Sequence, residues 1–315
     1  MEEVSHVGEH FSSPKNSDVN DLAHKYSDWI VAGRIAAQVR EFSKPLISKG
    51  ASILEIADKI EAKIRELGAK PAFPVNLSIN DVAAHYTPVM DDPLVLDDQV
   101  IKVDIGVVYN GAIGDTAYTV DISGKYSDLV RASEEALNNV VREIHPDITL
   151  GEIGRIIQET IQSYGYSPIR NLCGHGLGIN SVHQKPSIPN YDSGDVSKLK
   201  IGSCFAIEPF ATNGRGLIKE SIGAMIFSQI ASKPVRSQNA RQLFSDIYKY
   251  NGLPFATRWF KDTYTEAKLN LGLRELRLAG NIRDYPPLTE ISKGIVSQAE
   301  HSFFVAEDKI IVLTK

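Results

Sequence analysis

The stretch Val100–Val120, VIKVDIGVVYNGAIGDTAYTV, decides the fold of this chain. Two extended, largely apolar runs flank the pair Asn110-Gly111. This pair predicts a two-residue β-hairpin turn, because both turn positions need a positive φ. The turn places Gly106 opposite Asp115 on the neighbouring strand. Since alternate side chains of a strand share one face, Asp104 and Asp115 are expected to be diagonal neighbours on the same face.

Two carboxylates on a face that otherwise has buried character need a counter-charge. An unpaired buried carboxylate costs free energy or is forced to take up a proton. A bound cation removes that cost, so the hairpin predicts part of a metal site. The alternative is that both carboxylates lie at a solvent-exposed rim and bind nothing.

The composition is that of a globular protein with no general attraction to nucleic acid or membranes. The chain has 315 residues, 43% of them hydrophobic, and a formal net charge of −5, so it can bury a large core. No run approaches the roughly 18 apolar residues of a membrane span, and the acidic start does not resemble a signal peptide. Two cysteines, Cys173 and Cys204, do not suggest a disulfide framework. We expect a cytoplasmic monomer with a flexible tail over residues 1–20, and neither DNA nor membranes as partners.

One order of elements occurs twice: a helix, a capped helix, a loop with histidine and a strand with carboxylates. The first set begins at Trp29 and has its histidine at His85. The second set carries His175 and His183 and ends at Glu208. Apolar residues at helical spacing define the helices. The pattern predicts an α/β protein made of two related halves.

The segment 231–289 differs in character from the rest. It is rich in helical patterns and contains ten Lys or Arg and five Asp or Glu, so it is locally basic. After it, residues 294–313 are predicted to form two closing strands, with Glu300 in the first. We therefore predict a main domain over 21–230 and 290–315, interrupted by a helical insertion.

Five side chains are candidate metal ligands: Asp104, Asp115, His175, Glu208 and Glu300. Four carboxylates and one imidazole form an oxygen-rich set that suits two divalent ions with bridging carboxylates. Taken singly, each has a plainer explanation. Glu300 alone could be an edge-strand carboxylate, and His175 alone a hydrogen-bonded turn residue. Cys173 has no partner cysteine nearby and is expected to be a small core residue.

Seven motifs occur in one order along the chain, and together they resemble the type II methionine aminopeptidases of the archaeal kind. The motifs are AAHYTP (Ala83–Pro88), VDIG…GD (Val103–Asp115), CGHGLG (Cys173–Gly178), VHQKPSIP (Val182–Pro189), EPFATNGRG (Glu208–Gly216), YPPL (Tyr285–Leu288) and SQAEHSFFV (Ser297–Val305). The resemblance implies the pita-bread fold, a pseudo-twofold antiparallel sheet flanked by helices, with the metal site between its halves. It also matches residues 231–289 to the helical insertion that separates type II from type I enzymes.

The resemblance implies a role for each candidate ligand. Asp104 would hold one ion, and His175 and Glu208 the other. Asp115 and Glu300 would bridge the two ions, which are expected to be Co, Mn, Fe or Zn. Hydroxide bound to these ions would attack the scissile carbonyl of a nascent polypeptide that begins with methionine, preferentially when the second residue is small.

Further side chains match the catalytic and substrate positions of the family. Glu208 would accept the proton of the attacking water, His183 would stabilise the oxyanion, and His85 would orient the peptide. A structural hydrogen bond is the alternative role for each histidine. The methionine side chain would occupy a slot that has His85 at its edge and is lined by Phe73, Val182, Phe210 and Tyr285.

Two other functions belong to the same fold. Non-catalytic relatives that bind RNA or proteins have lost metal ligands, whereas all five candidates are present here. Proline-specific peptidases carry a large additional N-terminal domain, whereas about 28 residues precede Trp29. The basic insertion makes the ribosome a candidate partner, although a solvated basic face is the simpler explanation.

Overall fold

A computed structural model describes residues 16–221 and 223–315 of the chain. Within these residues the α-helices are α1 (Asn16–Ser43), α2 (Ile53–Glu66), α3 (Ser127–Glu143), α4 (Leu150–Ser163), α5 (Gln238–Ile247) and α6 (Glu266–Leu278). Short 3₁₀ helices cover Lys44–Leu46, Tyr248–Tyr250 and Thr257–Phe260. The strands are β1 (Lys70–Pro71), β2 (Asn76–Ile79), β3 (Val82–Ala84), β4 (Val100–Tyr109), β5 (Ala112–Asp121), β6 (Ser167–Pro168), β7 (Cys173–Gly178), β8 (Ser181–Pro189), β9 (Cys204–Ile207), β10 (Phe210–Thr212), β11 (Ile218–Glu220), β12 (Ile226–Gln229), β13 (Phe255–Ala256), β14 (Ile282–Tyr285), β15 (Leu288–Glu290), β16 (Val296–Gln298), β17 (His301–Val305) and β18 (Ile310–Val312).

In the first half of the fold, α1 and α2 pack on one face of β4. Ile56 and Ile60 of α2 belong to the same buried cluster as Ile101 and Val103 of the strand. The Ser52 hydroxyl caps α2 by accepting a hydrogen bond from the first turn, which satisfies one of the free N–H groups of the helix. These two helices do not cover the opposite face of β4, which is the face that carries the candidate site.

The second half repeats this arrangement with α3 and α4. These helices pack against β9 and β17, whose Phe205 and Phe303 rings stack with centroids 5.2 Å apart. A reciprocal capping box of Thr149 and Glu152 starts α4, and each residue satisfies a free N–H group at that helix end. The duplicated order predicted from the sequence is therefore present in the structure.

The sheets are antiparallel throughout the described residues. The hairpin of β4 and β5 has the predicted register, with Gly106 opposite Asp115. It lies in a four-stranded sheet, and a five-stranded sheet has the order β18-β17-β9-β7-β8. An isolated bridge between Ala117 and Glu300 joins the hairpin to the chain between β16 and β17. This bridge brings the two halves together at one place.

The insertion forms a small sheet, β13-β12-β14, covered by α5 and α6. Its core contains Phe227, which belongs to β12 and precedes the predicted boundary at residue 231. Arg258 of the insertion forms a buried ion pair with Glu61 of α2. The Trp259 indole N–H donates to the same carboxylate at 2.7 Å. The insertion is therefore anchored to the first half by buried polar contacts.

Two sequence-based boundaries need correction. Helix α1 begins at Asn16 and not at Trp29, because the apolar periodicity starts late whereas residues 16–32 contain no glycine or proline to interrupt a helix. Residues 16–20 of the predicted tail are thus helical, and residues 1–15 lie outside the described residues. Three closing strands replace the predicted two, because the chain changes its pairing partner from β10 to β9 at Glu300.

Candidate metal centre

The β4–β5 hairpin supplies two carboxylates to one cavity. Asp115 is 2% exposed, and Asp104 is half-buried and lines the same cavity. Burial raises the pKa of Asp104 to about 7, although a hydrogen bond from Gln298 opposes the shift. Burial and the charge of Asp104 raise the pKa of Asp115 as well. The predicted diagonal pair is thus found, on a face removed from bulk water.

The second half contributes an imidazole and a carboxylate. His175 lies on β7, where it is paired with Ala206 of β9, and Glu208 directly follows β9. His175 Nε2 is 3.7 Å from Glu208 Oε1 and 3.9 Å from Asp115 Oδ2. Burial lowers the pKa of His175 to about 3, so its imidazole is neutral and can act as a ligand.

Glu300 completes the cluster from the end of the chain. Its backbone N–H donates to the Ala117 carbonyl at 2.9 Å, which fixes the residue beside the hairpin. The side chain is buried, and neither carboxylate oxygen has a hydrogen-bond partner among the described residues. Burial and three neighbouring carboxylates, Asp115 first among them, raise the pKa of Glu300 far above its ordinary value.

Three of these side chains are close enough together to hold a divalent cation. Ligand atoms of Asp115, His175 and Glu300 all lie within 4.8 Å of one another. Burial and the nearby aspartates raise the pKa of Glu208 in the same way as that of Glu300. Four carboxylates gathered in a buried space repel one another, and cations are the partners that would let all four ionise.

The two predicted non-ligand histidines line the same cavity. The His85 ring makes an edge contact with Tyr285, with centroids 5.7 Å apart, and burial lowers the His85 pKa to about 4. His183 is exposed at the cavity mouth, 4.7 Å from the His175 ring centroid. His85 has a positive φ of 66°, and its backbone N–H donates to the Asn76 side chain at 2.7 Å.

The cavity has a volume of about 440 Å³ and an apolar side. The four residues predicted to form the methionine slot all line it: Phe73, Val182, Phe210 and Tyr285. A Cβ at Gly106 would overlap the Phe73 ring, so glycine lets this ring approach the hairpin. The structure thus brings every predicted site residue to one cavity.

Gln298 is a site residue that the sequence reasoning did not select. It is 1% exposed, and its Nε2 donates to Asp104 Oδ2 at 3.3 Å and to Glu208 Oε2 at 3.2 Å. Its only signal in the sequence is its place two residues before Glu300, on the same strand face. Cys173, Ile226 and Pro254 also line the cavity without having been predicted.

Comparisons with known proteins identify the family. The family model described as metallopeptidase family M24 matches residues 30–232. A methionine aminopeptidase of Methanocaldococcus jannaschii is 46% identical over 92% of this chain and 98% of its own length. One of Pyrococcus abyssi is 44% identical over 91% of this chain and 98% of its own.

Solved structures confirm the pita-bread fold expected from the motifs. A methionine aminopeptidase from Rickettsia prowazekii superposes with a TM-score of 0.67 at 23% identity, over 93% of this chain and 98% of its own. A thermophilic Arx1 gives a TM-score of 0.80 at 15% identity, over 92% and 90% of the two chains. A Pyrococcus furiosus prolidase matches at a TM-score of 0.58, and only 68% of its chain is covered.

A two-half α/β fold around a buried cluster of carboxylates and histidines is consistent with a metallopeptidase, and the match of the family model shows that the chain belongs to metallopeptidase family M24. Within this family it groups with the archaeal methionine aminopeptidases, as the motifs predicted.

Proposed function

We propose that this protein is a metal-dependent aminopeptidase that removes the N-terminal methionine from polypeptides, preferentially when the second residue is small. One observation carries the proposal: candidate ligands as far apart in the sequence as residues 104 and 300 converge on one cavity, beside an apolar slot. The archaeal relatives, which are 38–46% identical, are named methionine aminopeptidases. Since the prolidase is only partly covered by this chain, a proline-specific activity is the weaker candidate.

We assign the five carboxylate and imidazole side chains as ligands of two divalent ions. Asp104 would hold one ion, His175 and Glu208 the other, and Asp115 and Glu300 would lie between them. When bound, such ions supply a nucleophile at neutral pH and polarise the scissile carbonyl. The oxygen-rich set accepts Mn, Fe, Co or Zn, and availability in the cell decides among them.

We assign the proton transfer to Glu208. It lines the cavity directly after β9, and Gln298 holds one of its oxygens at 3.2 Å while the other faces His175. A carboxylate in this position accepts the proton of the attacking water and passes it to the leaving amine. The hydrogen bond from Gln298 keeps the carboxylate oriented during both steps.

The two histidines would bind and orient the peptide. His183 lies at the cavity mouth, where a ring N–H can donate to the oxyanion that forms on the scissile carbonyl. His85 is held by Asn76 and packed against Tyr285 at the edge of the slot. From this position it can hydrogen-bond the peptide backbone and fix the orientation of the first residue.

The apolar side of the cavity would take the methionine side chain. Phe210 is 1% exposed and Val182 is 5% exposed, so both present fixed surfaces to a ligand. Such a slot distinguishes side chains that differ by one methylene by only about 1–3 kcal/mol. The slot on its own is therefore expected to select methionine only modestly over apolar side chains of similar size.

Hydrolysis of short peptides by the metal-reconstituted protein tests this function. We expect rapid cleavage of Met-Ala-Ser, slow cleavage of Leu-Ala-Ser and none of Ala-Pro. Glu208→Gln should remove most of the activity, while circular dichroism shows an unchanged fold. Equal turnover of Ala-Pro would replace the proposal with a proline-specific peptidase, and no turnover of any peptide would favour a binding protein.

The setting and partners are part of the proposal. No helix in the described part of the chain is long and apolar enough to cross a membrane. As part of the proposal we place the protein in the cytoplasm as a monomer.

The basic insertion makes the ribosome a candidate partner. Lys261 and Arg277 already lie 3.6 Å and 3.2 Å from carboxylates, which reduces the charge available. Ribosome co-sedimentation of a variant with Lys261, Arg274 and Arg277 changed to Glu tests this contact; unchanged binding excludes it.

A further inference from the structure

A second cavity of about 810 Å³ lies between α2 and the insertion. Its walls come from the C-terminal end of α2, from β1 and from the 3₁₀ helices Tyr248–Tyr250 and Thr257–Phe260. It shares no lining residue with the candidate catalytic cavity. Its volume is in the range of sites for small organic ligands.

The charge of this second cavity is predominantly positive. Its lining contains five cations and three carboxylates: Arg65, Lys70, Lys249, Arg258 and Lys261, and Asp58, Glu61 and Asp262. Two of the carboxylates are already engaged. Glu61 pairs with the buried Arg258, and Asp58 lies 3.6 Å from Lys261.

Two lysines of the lining remain without a counter-charge. Among the described residues, neither Lys70 nor Lys249 has a carboxylate oxygen within ion-pair distance. Both are exposed at the edge of the cavity. The Lys249 ammonium instead lies 5.2 Å from the centroid of the Tyr250 ring. An anionic group bound here would meet two free ammonium groups.

The same cavity has an aromatic and apolar wall. The rings of Tyr250 and Trp259 lie 5.2 Å apart at an interplanar angle of 38°. The indole N–H of Trp259 donates to Glu61 Oε2 at 2.7 Å, so the ring cannot turn freely. Pro71, Val108 and Leu253 extend this wall. A planar ring can stack on such a surface.

We infer that this second cavity is a binding site for a small organic anion with a flat apolar body, of which a nucleoside monophosphate is an example. The ring would stack on Trp259, because the Tyr250 ring is already covered by Phe255 and Lys249. The anionic group would lie between Lys70 and Lys249. A simple cation is disfavoured by the surplus of positive charge, and a purely apolar ligand would leave both ammonium groups unpaired.

Fluorescence of Trp259 gives a direct measurement of binding. The chain has two tryptophans, and Trp29 is 6% exposed and does not line the cavity. A Trp29→Phe variant of the metal-loaded protein therefore reports on Trp259 alone. Titration with adenosine monophosphate should give a saturable quench. Adenosine and inorganic phosphate, each carrying half of the required chemistry, should bind at least about tenfold more weakly.

Matched lysine variants separate this site from the candidate catalytic cavity. Lys249→Ala and Lys70→Ala should each weaken binding of adenosine monophosphate about fivefold, as expected for loss of one partly exposed charge contact. Lys185→Ala removes a lysine that lines the catalytic cavity and should leave this affinity unchanged. The inference is overturned by the absence of a quench at millimolar nucleotide. It is also overturned by equal affinities for adenosine and the monophosphate, or by sensitivity to Lys185→Ala in place of Lys249→Ala.

Discussion

Replacement of Gln298 tests whether a neutral side chain orders the candidate metal ligands. Its amide donates to one oxygen of Asp104 and one of Glu208, at 3.3 Å and 3.2 Å. Because both neighbours are acceptors, the nitrogen of the amide must face them. Gln298→Leu keeps much of the side-chain volume and removes both hydrogen bonds. The backbone N–H of residue 298 donates to the Thr119 hydroxyl, which in turn donates to the carbonyl of residue 298, and neither bond depends on the side chain of residue 298.

The expected loss follows from the two hydrogen bonds. A hydrogen bond to a charged group contributes about 1.5–3 kcal/mol, so losing two at the lower limit costs about 3 kcal/mol. Both hydrogen bonds also exist without metal, so only part of this cost falls on metal binding. We expect the affinity for Mn²⁺ to fall about tenfold to hundredfold, the usual range for groups that orient metal ligands. Isothermal titration with Mn²⁺ measures the affinity. The steady-state rate on Met-Ala-Ser at saturating metal shows whether the orientation of Glu208 also matters for catalysis.

Ser297→Ala is the matched control for this experiment. Ser297 precedes Gln298 on β16, but its hydroxyl donates to the Leu129 carbonyl of α3 at 2.7 Å and points away from the site. The control should lose some stability and retain its metal affinity. If Gln298→Leu binds Mn²⁺ as tightly as the wild type, the amide does not order the ligands and the reasoning is refuted.

Three further predictions concern buried carboxylates. Glu61→Gln removes the nearer counter-charge of the buried Arg258 guanidinium and leaves only the exposed Asp58 at 3.8 Å, so it should lower the free energy of unfolding in urea by about 3 kcal/mol; a loss below about 1 kcal/mol would contradict this. Burial would raise the pKa of Glu290, but its N–H and O–H donors hold that pKa below the ordinary 4.5. The carboxylate therefore stabilises the fold above pH 4.5 and loses its effect as pH falls through the lowered pKa. The difference in free energy of unfolding in urea between wild type and Glu290→Gln should consequently shrink in acid and not grow. Glu300→Gln removes one of four mutually repelling carboxylates and should raise the melting temperature in EDTA while reducing the further increase on adding Mn²⁺; calorimetry that shows a lower melting temperature in EDTA would contradict the repulsion.

The parts of the fold that could be predicted depend on local chemistry. The pair Asn110-Gly111 sets the hairpin register by its own backbone preference, and both residues have positive φ in the structure. The placement of Asp104 and Asp115 as diagonal neighbours on one face then follows from the alternation of side chains along each strand. The other candidate ligands, His175, Glu208 and Glu300, received their expected roles from the resemblance, and their convergence could not be worked out from spacing alone.

The parts that were missed depend on contacts between distant segments. Gln298 lies 194 and 90 positions from the two carboxylates it contacts, and its place two residues before Glu300 is too weak a signal to mark it as a site residue. The buried pair of Arg258 and Glu61 joins two elements 197 positions apart. In the sequence both appear as ordinary charged residues of amphipathic segments. The buried pair and the second cavity beside it can be recognised only from the way the insertion packs on α2.

The bridge between Ala117 and Glu300 has a consequence for the order in which the protein matures. Translation supplies Asp104 and Asp115 early, whereas Glu300 emerges with the final strands. A growing chain therefore lacks one of the five candidate ligands until its synthesis is almost finished. Any activity that depends on the Glu300 carboxylate can begin only after the final strands have been added.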